Sequence, residues 1–274
     1  TAARSVPATD DVSDHLRAIG YVAFDEDEDA SLSGVIEHAP DRVAPGWNLY
    51  TDDVDTVILM DLKGSVLHEW KIPGAKHCEH VELISELRLA IVCQGEALVV
   101  LEAGGKALFR LAARVHHDAA QREDRSLLVL AAEQRRFHRG RLVQFDALLE
   151  VSLDGKSRRV WSGAEAAGEL RALHGAGELD RWAPFGAITK LVFRWFWEKA
   201  RGRGVPGHEY YHVNTVEVLG ENALAASDAR FRPGNVLLGL RNANTAVILD
   251  RDTWTPVWHW GQGVMDLPHM PTFI

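Results

Sequence analysis

Histidine recurs at the head of successive apolar segments of this chain, in His80-Val81-Glu82, His116-His117-Asp118, His212-Val213-Asn214 and Pro268-His269-Met270. Imidazole is the side chain that serves as both nucleophile and proton carrier near neutral pH. Arg241 follows Leu240 at the end of the apolar segment after His212. A guanidinium and an amide donate hydrogen bonds to a compact anion. A set of imidazoles with Arg241 and Asn214, and without a carboxylate array, suits a dispersed anion such as a sulfuryl group. Arg241 and Asn214 would hold its oxygens and one neutral imidazole would attack, while a second carries a proton to or from the bridging oxygen. The doubled His116-His117 leaves open which of the two faces the site. His68, His138, His174, His208 and His259 fall off the register and are read as structural. No His-x-His or His-x-x-x-His chelate occupies the register positions, so no metal centre is expected.

Those positions converge only if the segments they head are arranged around a common axis. Four stretches share one cadence: Val57 to Trp70, Leu98 to Phe109, Leu148 to Trp161 and Ala246 to Trp258. Each is an apolar strand, an Asp/Gly turn and a strand carrying Trp or Leu, which is a hairpin signature. Another apolar strand precedes each hairpin, at 46–50, 89–93, 127–131 and 236–240, and the histidine-headed strand precedes three of these. Gly64, Gly105 and Gly155 recur at about the 40–50-residue period of propeller blades. The expected fold class is therefore all-β, a β-propeller of four-stranded antiparallel blades. About four units are visible, the first without its histidine strand, and His269 opens a unit that the chain does not continue. The pattern reads as an incomplete copy of a longer propeller. Trp70, Trp161, Trp258 and Trp260 are expected to pack between blades.

Residues 1–42 read as a leader or linker, with one short helix over Asp11 to Val22 and a solvated acidic run at 25–29. Residues 43–274 are the propeller domain, with an insertion at about 163–207. Its 164–174 stretch reads as helix. The aromatic stretch Leu191 to Arg201 is too short to span a bilayer. It would pack on the propeller as a lid, or else touch a membrane surface or a partner. A net charge of −9 argues against a nucleic-acid partner. Cys78 and Cys93 lie on two arms of a hairpin, as a cross-strand disulfide or as two core thiols. Exposed blade edges leave self-association into a homo-oligomer open.

At these residues the chain resembles the bacterial arylsulfate sulfotransferase family, PAPS-independent enzymes built on a six-bladed propeller. The resemblance runs from about Gly46 to Ile274. It rests on Trp47-Asn48-Leu49-Tyr50, Met60 to Gly64 with Trp70, His116-His117-Asp118, His212 to Thr215, Leu240-Arg241, and Trp260-Gly261-Gln262-Gly263 leading to Pro268-His269. It implies transfer of a sulfuryl group from a phenolic sulfate donor to a phenol acceptor through a sulfohistidine, with no metal, nucleotide or other cofactor. His269 resembles the nucleophile, and His212, Asn214 and Arg241 the sulfuryl-binding group. His117, or its neighbour His116, resembles the remaining channel histidine. A periplasmic or otherwise extracytoplasmic location is also implied. The family's chain continues past the nucleophile into a further turn and strand, a departure that makes an inactive fragment one expectation. The rival reading is a non-catalytic propeller that binds a sulfated or phenolic ligand, or a protein partner.

Overall fold

The computed structural model describes residues 35, 38–52, 54–137, 141–174 and 208–274. The leader helix, the acidic run, His138 and the aromatic stretch 191–201 lie outside the described residues. Among the described residues, no helix is long and apolar enough to cross a membrane.

The fold is all-β, built as successive propeller blades. The first blade is a three-stranded meander of β1 (Trp47–Thr51), β2 (Thr56–Asp61) and β3 (Val66–Lys71). The second runs through β4 (Cys78–Ile84), β5 (Arg88–Cys93), β6 (Ala97–Glu102) and β7 (Ala107–Ala112). The third is β8 (Val115–Gln121), β9 (Leu127–Phe137), β10 (Arg141–Val151) and β11 (Ser157–Ser162), followed by helix α1 (Ala167–His174). A two-residue strand β12 (His208–Glu209) adds to β10 in parallel. The fourth blade is β13 (Val213–Val218), β14 (Val236–Leu240), β15 (Thr245–Leu249) and β16 (Pro256–Trp260). All pairings within the blades other than that of β12 are antiparallel. The four sheets remain open, and no closure between first and last is present among the described residues.

Burial explains why the middle strands read as unbroken apolar runs. Successive side chains of a strand point to opposite faces, and each middle strand faces a core on both sides. Leu89, Ile91 and Cys93 of β5 enter a core shared with Val57 and Trp70 of the first blade. Ala90 and Val92, between them in sequence, enter the next core with Leu127 and Val129 of the third blade. Leu128 and Leu130 then pack with Val236, Leu238 and Leu240 of the fourth. The far face of the fourth blade is covered by Phe231, Met265 and Phe273 from the chain's own loops.

Two of the recurrent glycines, Gly105 and Gly155, sit where one blade receives the next. Trp70 donates its indole N–H to the carbonyl of Ala103 at 2.8 Å, and a Cβ on Gly105 would stand 3.5 Å from its ring. Gly155 has φ +82°, and a Cβ there would lie 3.2 Å from Phe109. Glycine is needed at Gly155 for its left-handed backbone and for that close approach. Packing between blades therefore holds for Trp70 and, through its burial in the core shared by blades three and four, for Trp161. Trp258 and Trp260 depart from the expectation. Trp258 packs on Phe231 of its own blade at 5.7 Å between ring centroids, and Trp260 is half exposed on the outermost strand.

Two further differences concern lengths and thiols. β9 and β10 extend beyond the expected hairpin to eleven residues each. Their polar ends hid the strand signal, because Glu133 to Arg136 carry no apolar alternation. The helix of the insertion occupies Ala167–His174, three residues later at its start than expected. Cys78 and Cys93 are direct cross-strand partners, both fully buried, with their sulfur atoms 2.7 Å apart.

Candidate functional site

The inner strands β4, β8 and β13 share an irregularity at or just after the histidine. The register with the neighbouring strand shifts between Cys78 and His80, between Val115 and Ala119, and between Val213 and Val216. Such bulges re-aim side chains and free backbone groups from the ladder. His117 and His212 adopt left-handed backbones, with φ of 56° and 51°. For a residue with a Cβ this costs roughly 1–2 kcal/mol. The gain is geometric. His117 no longer points away from His116, and their Nδ1 atoms meet at 3.1 Å.

Carboxylates stabilise the bulges. Asp118 accepts the N–H of Ala119 at 2.8 Å and that of Val216, in the next blade, at 2.9 Å. Asp146 of β10 accepts the N–H of Val213 at 3.1 Å. Both side chains are buried, and these bonds offset the cost of removing a carboxylate from water.

Around this frame the described residues bring His117, His212 and His269 together. The His117 ring lies 4.9 Å from that of His212 and 6.2 Å from that of His269, measured between centroids. Burial, with His116, His212 and His269 beside it, pushes the His117 imidazole down to about 3. His269 is exposed on the segment after β16. Its partial burial and the charges of His212 and Arg241 hold it below the usual histidine value. Both groups are thus neutral bases at neutral pH. Arg241 lies at the end of β14, and its backbone N–H donates to the carbonyl of His212 at 3.3 Å.

His116 and Asn214 take positions different from the expected contact with a substrate. His116 is buried behind His117, with its Nε2 3.3 Å from Asp146. Asn214 is also buried, and donates its amide to the carbonyl of Pro268 at 2.9 Å, so it fixes the segment that carries His269. That segment is held at further points. Asn244 accepts the N–H of Leu267 at 2.8 Å, and Glu217 accepts that of Phe273 at 3.1 Å. A Cβ on Gly239 would come within 2.8 Å of Pro271 and 2.9 Å of Asn214, so this β14 position must be glycine for the segment to seat.

The expectation of a site without a carboxylate array is overturned. Glu79 lies 3.4 Å from Nδ1 of His117, and Glu209 lies 2.7 Å from Nδ1 of His212. Asp118 lies 3.2 Å from His80, and Glu82 lies 3.8 Å from the same ring. Burial raises Glu79, against the His117 backbone N–H and nearby histidines, and raises Glu82 to about 7. Asp118 was visible beside the histidines in sequence, and Glu82 lies in the His80 motif. Glu79, Asp146 and Glu209 were missed because they come from positions that the histidine register does not mark. The one signal for Asp146 is a lone charge inside the apolar run from Leu142 to Leu149. No group of three or more His, Cys, Asp or Glu residues among the described residues has the geometry to hold a metal ion.

No protein-family model and no curated protein matches the chain. Among solved structures it is similar to a catalytically inactive variant of virginiamycin B lyase from Staphylococcus aureus with quinupristin. The identity is 9%, the TM-score 0.43, and the match covers 83% of this chain and 54% of that one. It is also similar to the hydrazine synthase of Kuenenia stuttgartiensis at 10% identity and TM-score 0.39, over 74% of this chain and 48% of that one. A third similarity is to a protein of unknown function from Bacteroides caccae at 9% identity and TM-score 0.32, over 80% of this chain and 74% of that one. The chain spans about half the length of the lyase chain it matches.

Proposed function

We propose that this protein transfers a sulfuryl group from a phenolic sulfate ester to a phenol through a sulfohistidine on His269. The observation that supports the reading best is the gathering of His117 from β8, His212 from the head of β13 and His269 from the segment after β16, with Arg241 acting on His269. A neutral imidazole is a nucleophile toward sulfur, and His269 is both neutral and exposed. The Arg241 guanidinium stabilises charge on the sulfuryl oxygens as the bond to the leaving phenol breaks. His212 is held at its Nδ1 by Glu209, which fixes the ring beside the same group. His117 moves the proton to the departing phenol oxygen and takes it back from the acceptor.

The reading needs neither a nucleotide donor nor a metal. Its test is turnover of 4-nitrophenyl sulfate with phenol as acceptor, in chelator and without nucleotide. Parallel double-reciprocal plots are expected, as for a covalent intermediate that separates two half-reactions. Intersecting plots would reject the covalent route, and binding of 4-nitrophenyl sulfate without turnover would favour the non-catalytic propeller.

A further inference from the structure

His116 is more than nine-tenths buried, yet its ring bridges two functional groups. Nε2 lies 3.3 Å from Asp146 as an ion-pair contact outside hydrogen-bond geometry, and Nδ1 faces Nδ1 of His117 at 3.1 Å. Asp146 is itself anchored by the N–H of Val213, so the carboxylate cannot swing away without unpairing a buried donor. Two successive contacts thus connect the buried carboxylate, through His116, to His117.

We propose that the His116–Asp146 pair is a proton reservoir that acts on the leaving phenol through His117, an inference that rests on the sulfuryl-transfer reading. In the resting site His116 carries protons on both nitrogens. Its Nε2–H faces Asp146, its Nδ1–H points to Nδ1 of His117, and His117 keeps its proton on Nε2. As the sulfur–oxygen bond of the donor breaks, the phenolate oxygen takes the Nε2 proton of His117. His117 in turn takes the Nδ1 proton of His116 on its own Nδ1, and His116 becomes neutral. When the acceptor phenol attacks the sulfohistidine, it gives its proton to Nε2 of His117, and the Nδ1 proton returns to His116. One proton moves out and one moves back, so neither half-reaction calls on solvent.

The surrounding charges fit this direction. Burial alone would lower His116, but Asp146, with Glu79 and Glu209 across the site, holds it above the usual histidine value. His117 faces His116, His212 and His269 as well as Glu209, and cannot retain a second proton at neutral pH. Glu79 is the competing acceptor for His117, at 3.4 Å against 3.1 Å for His116.

Leaving-group dependence separates this role from mere packing. Asp146→Asn keeps an oxygen for the Val213 N–H but removes the charge that holds the second proton. His116→Gln is the companion variant, and thermal melts establish that each folds. With the reservoir lost, turnover of phenyl sulfate, whose leaving phenol is the less acidic, should fall about 100-fold or more. The loss with 4-nitrophenyl sulfate should be at least about tenfold smaller, because nitrophenolate departs with little proton assistance. Equal losses for the two donors would overturn the proposal. Nitrogen chemical shifts of the His116 ring give an independent readout in the intact protein. Two ring protons at neutral pH, reduced to one in Asp146→Asn, are expected, and a neutral His116 in the native protein would overturn the reservoir. If the native protein turned over neither sulfate, the sulfuryl-transfer reading would fall and take the leaving-group role with it, whereas turnover with equal losses for the two donors would overturn the reservoir alone.

Discussion

Asn214 on the inner strand β13 donates its side-chain amide to the carbonyl oxygen of Pro268, 54 residues later and adjacent to His269. This bond ties the proposed nucleophile to the strand that follows His212. Asn214→Ala should misplace the segment while leaving the blades folded. A displacement of about 1 Å costs on the order of 100-fold in rate, and steady-state kinetics with 4-nitrophenyl sulfate would measure it. The unpaired Pro268 carbonyl should cost about 1–3 kcal/mol of stability, read from denaturant melts.

Gly239 approaches the same segment from β14. Gly239→Ala places a methyl carbon 2.8 Å from Pro271 and 2.9 Å from Asn214. Overpacking of this kind costs about 1–3 kcal/mol when neighbours cannot yield. The segment carrying His269 should yield before the blade does. Turnover should therefore drop much more than the melting temperature, and comparing the two tests the assignment of Gly239 to seating this segment.

The pH dependence follows from the direction of the histidine shifts. His269 must be neutral to attack, and its value is below 6.5, so activity should persist as pH falls past 6.5 and disappear only once pH passes the lowered His269 value. His116 must keep two protons, and its value is above 6.5, so turnover of phenyl sulfate should decline at higher pH. In Asp146→Asn that alkaline limb should move to lower pH. Stability shifts in the window set by His117, at about 3 folded against 6.5 unfolded. Its contribution is complete above 6.5 and is lost as pH falls toward 3, because the unfolded chain binds the proton first. His117→Gln should flatten the decline of the melting temperature over that window.

The facing pair Cys78 and Cys93 offers a covalent check on the register of β4 and β5. Mild oxidation should remove two hydrogens from the intact mass and join peptides spanning the two residues. Closing a 15-residue loop stabilises by about 3 kcal/mol in the chain-entropy account. An oxidised protein that melts no higher than the reduced one would show that the bridge strains the hairpin.

Much of the fold was legible because each middle strand is buried on both faces and so reads as a continuous apolar run, as in Leu89 to Cys93 and Val236 to Leu240. The histidine strands were legible by repetition. The polar halves of β9 and β10 were not, since Glu133 and Arg135 pair with each other rather than alternate with apolar residues. In the site, the types and order of His117, His212, Arg241 and His269 could be read from the chain. The buried roles of His116 and Asn214 could not. They depend on a left-handed turn at His117 and on a carbonyl at Pro268, neither of which a residue type encodes. Glu79, Asp146 and Glu209 escaped for a related reason, because each reaches its histidine from a position that the histidine register does not mark.

The central claim is the covalent intermediate, and intact mass after exposure to 4-nitrophenyl sulfate without acceptor tests it most directly. Release of nitrophenol is predicted, with a single sulfuryl adduct located at His269, removed by added phenol and absent from His269→Ala. Nitrophenol release with no adduct on any histidine, or full turnover by His269→Ala, would contradict it.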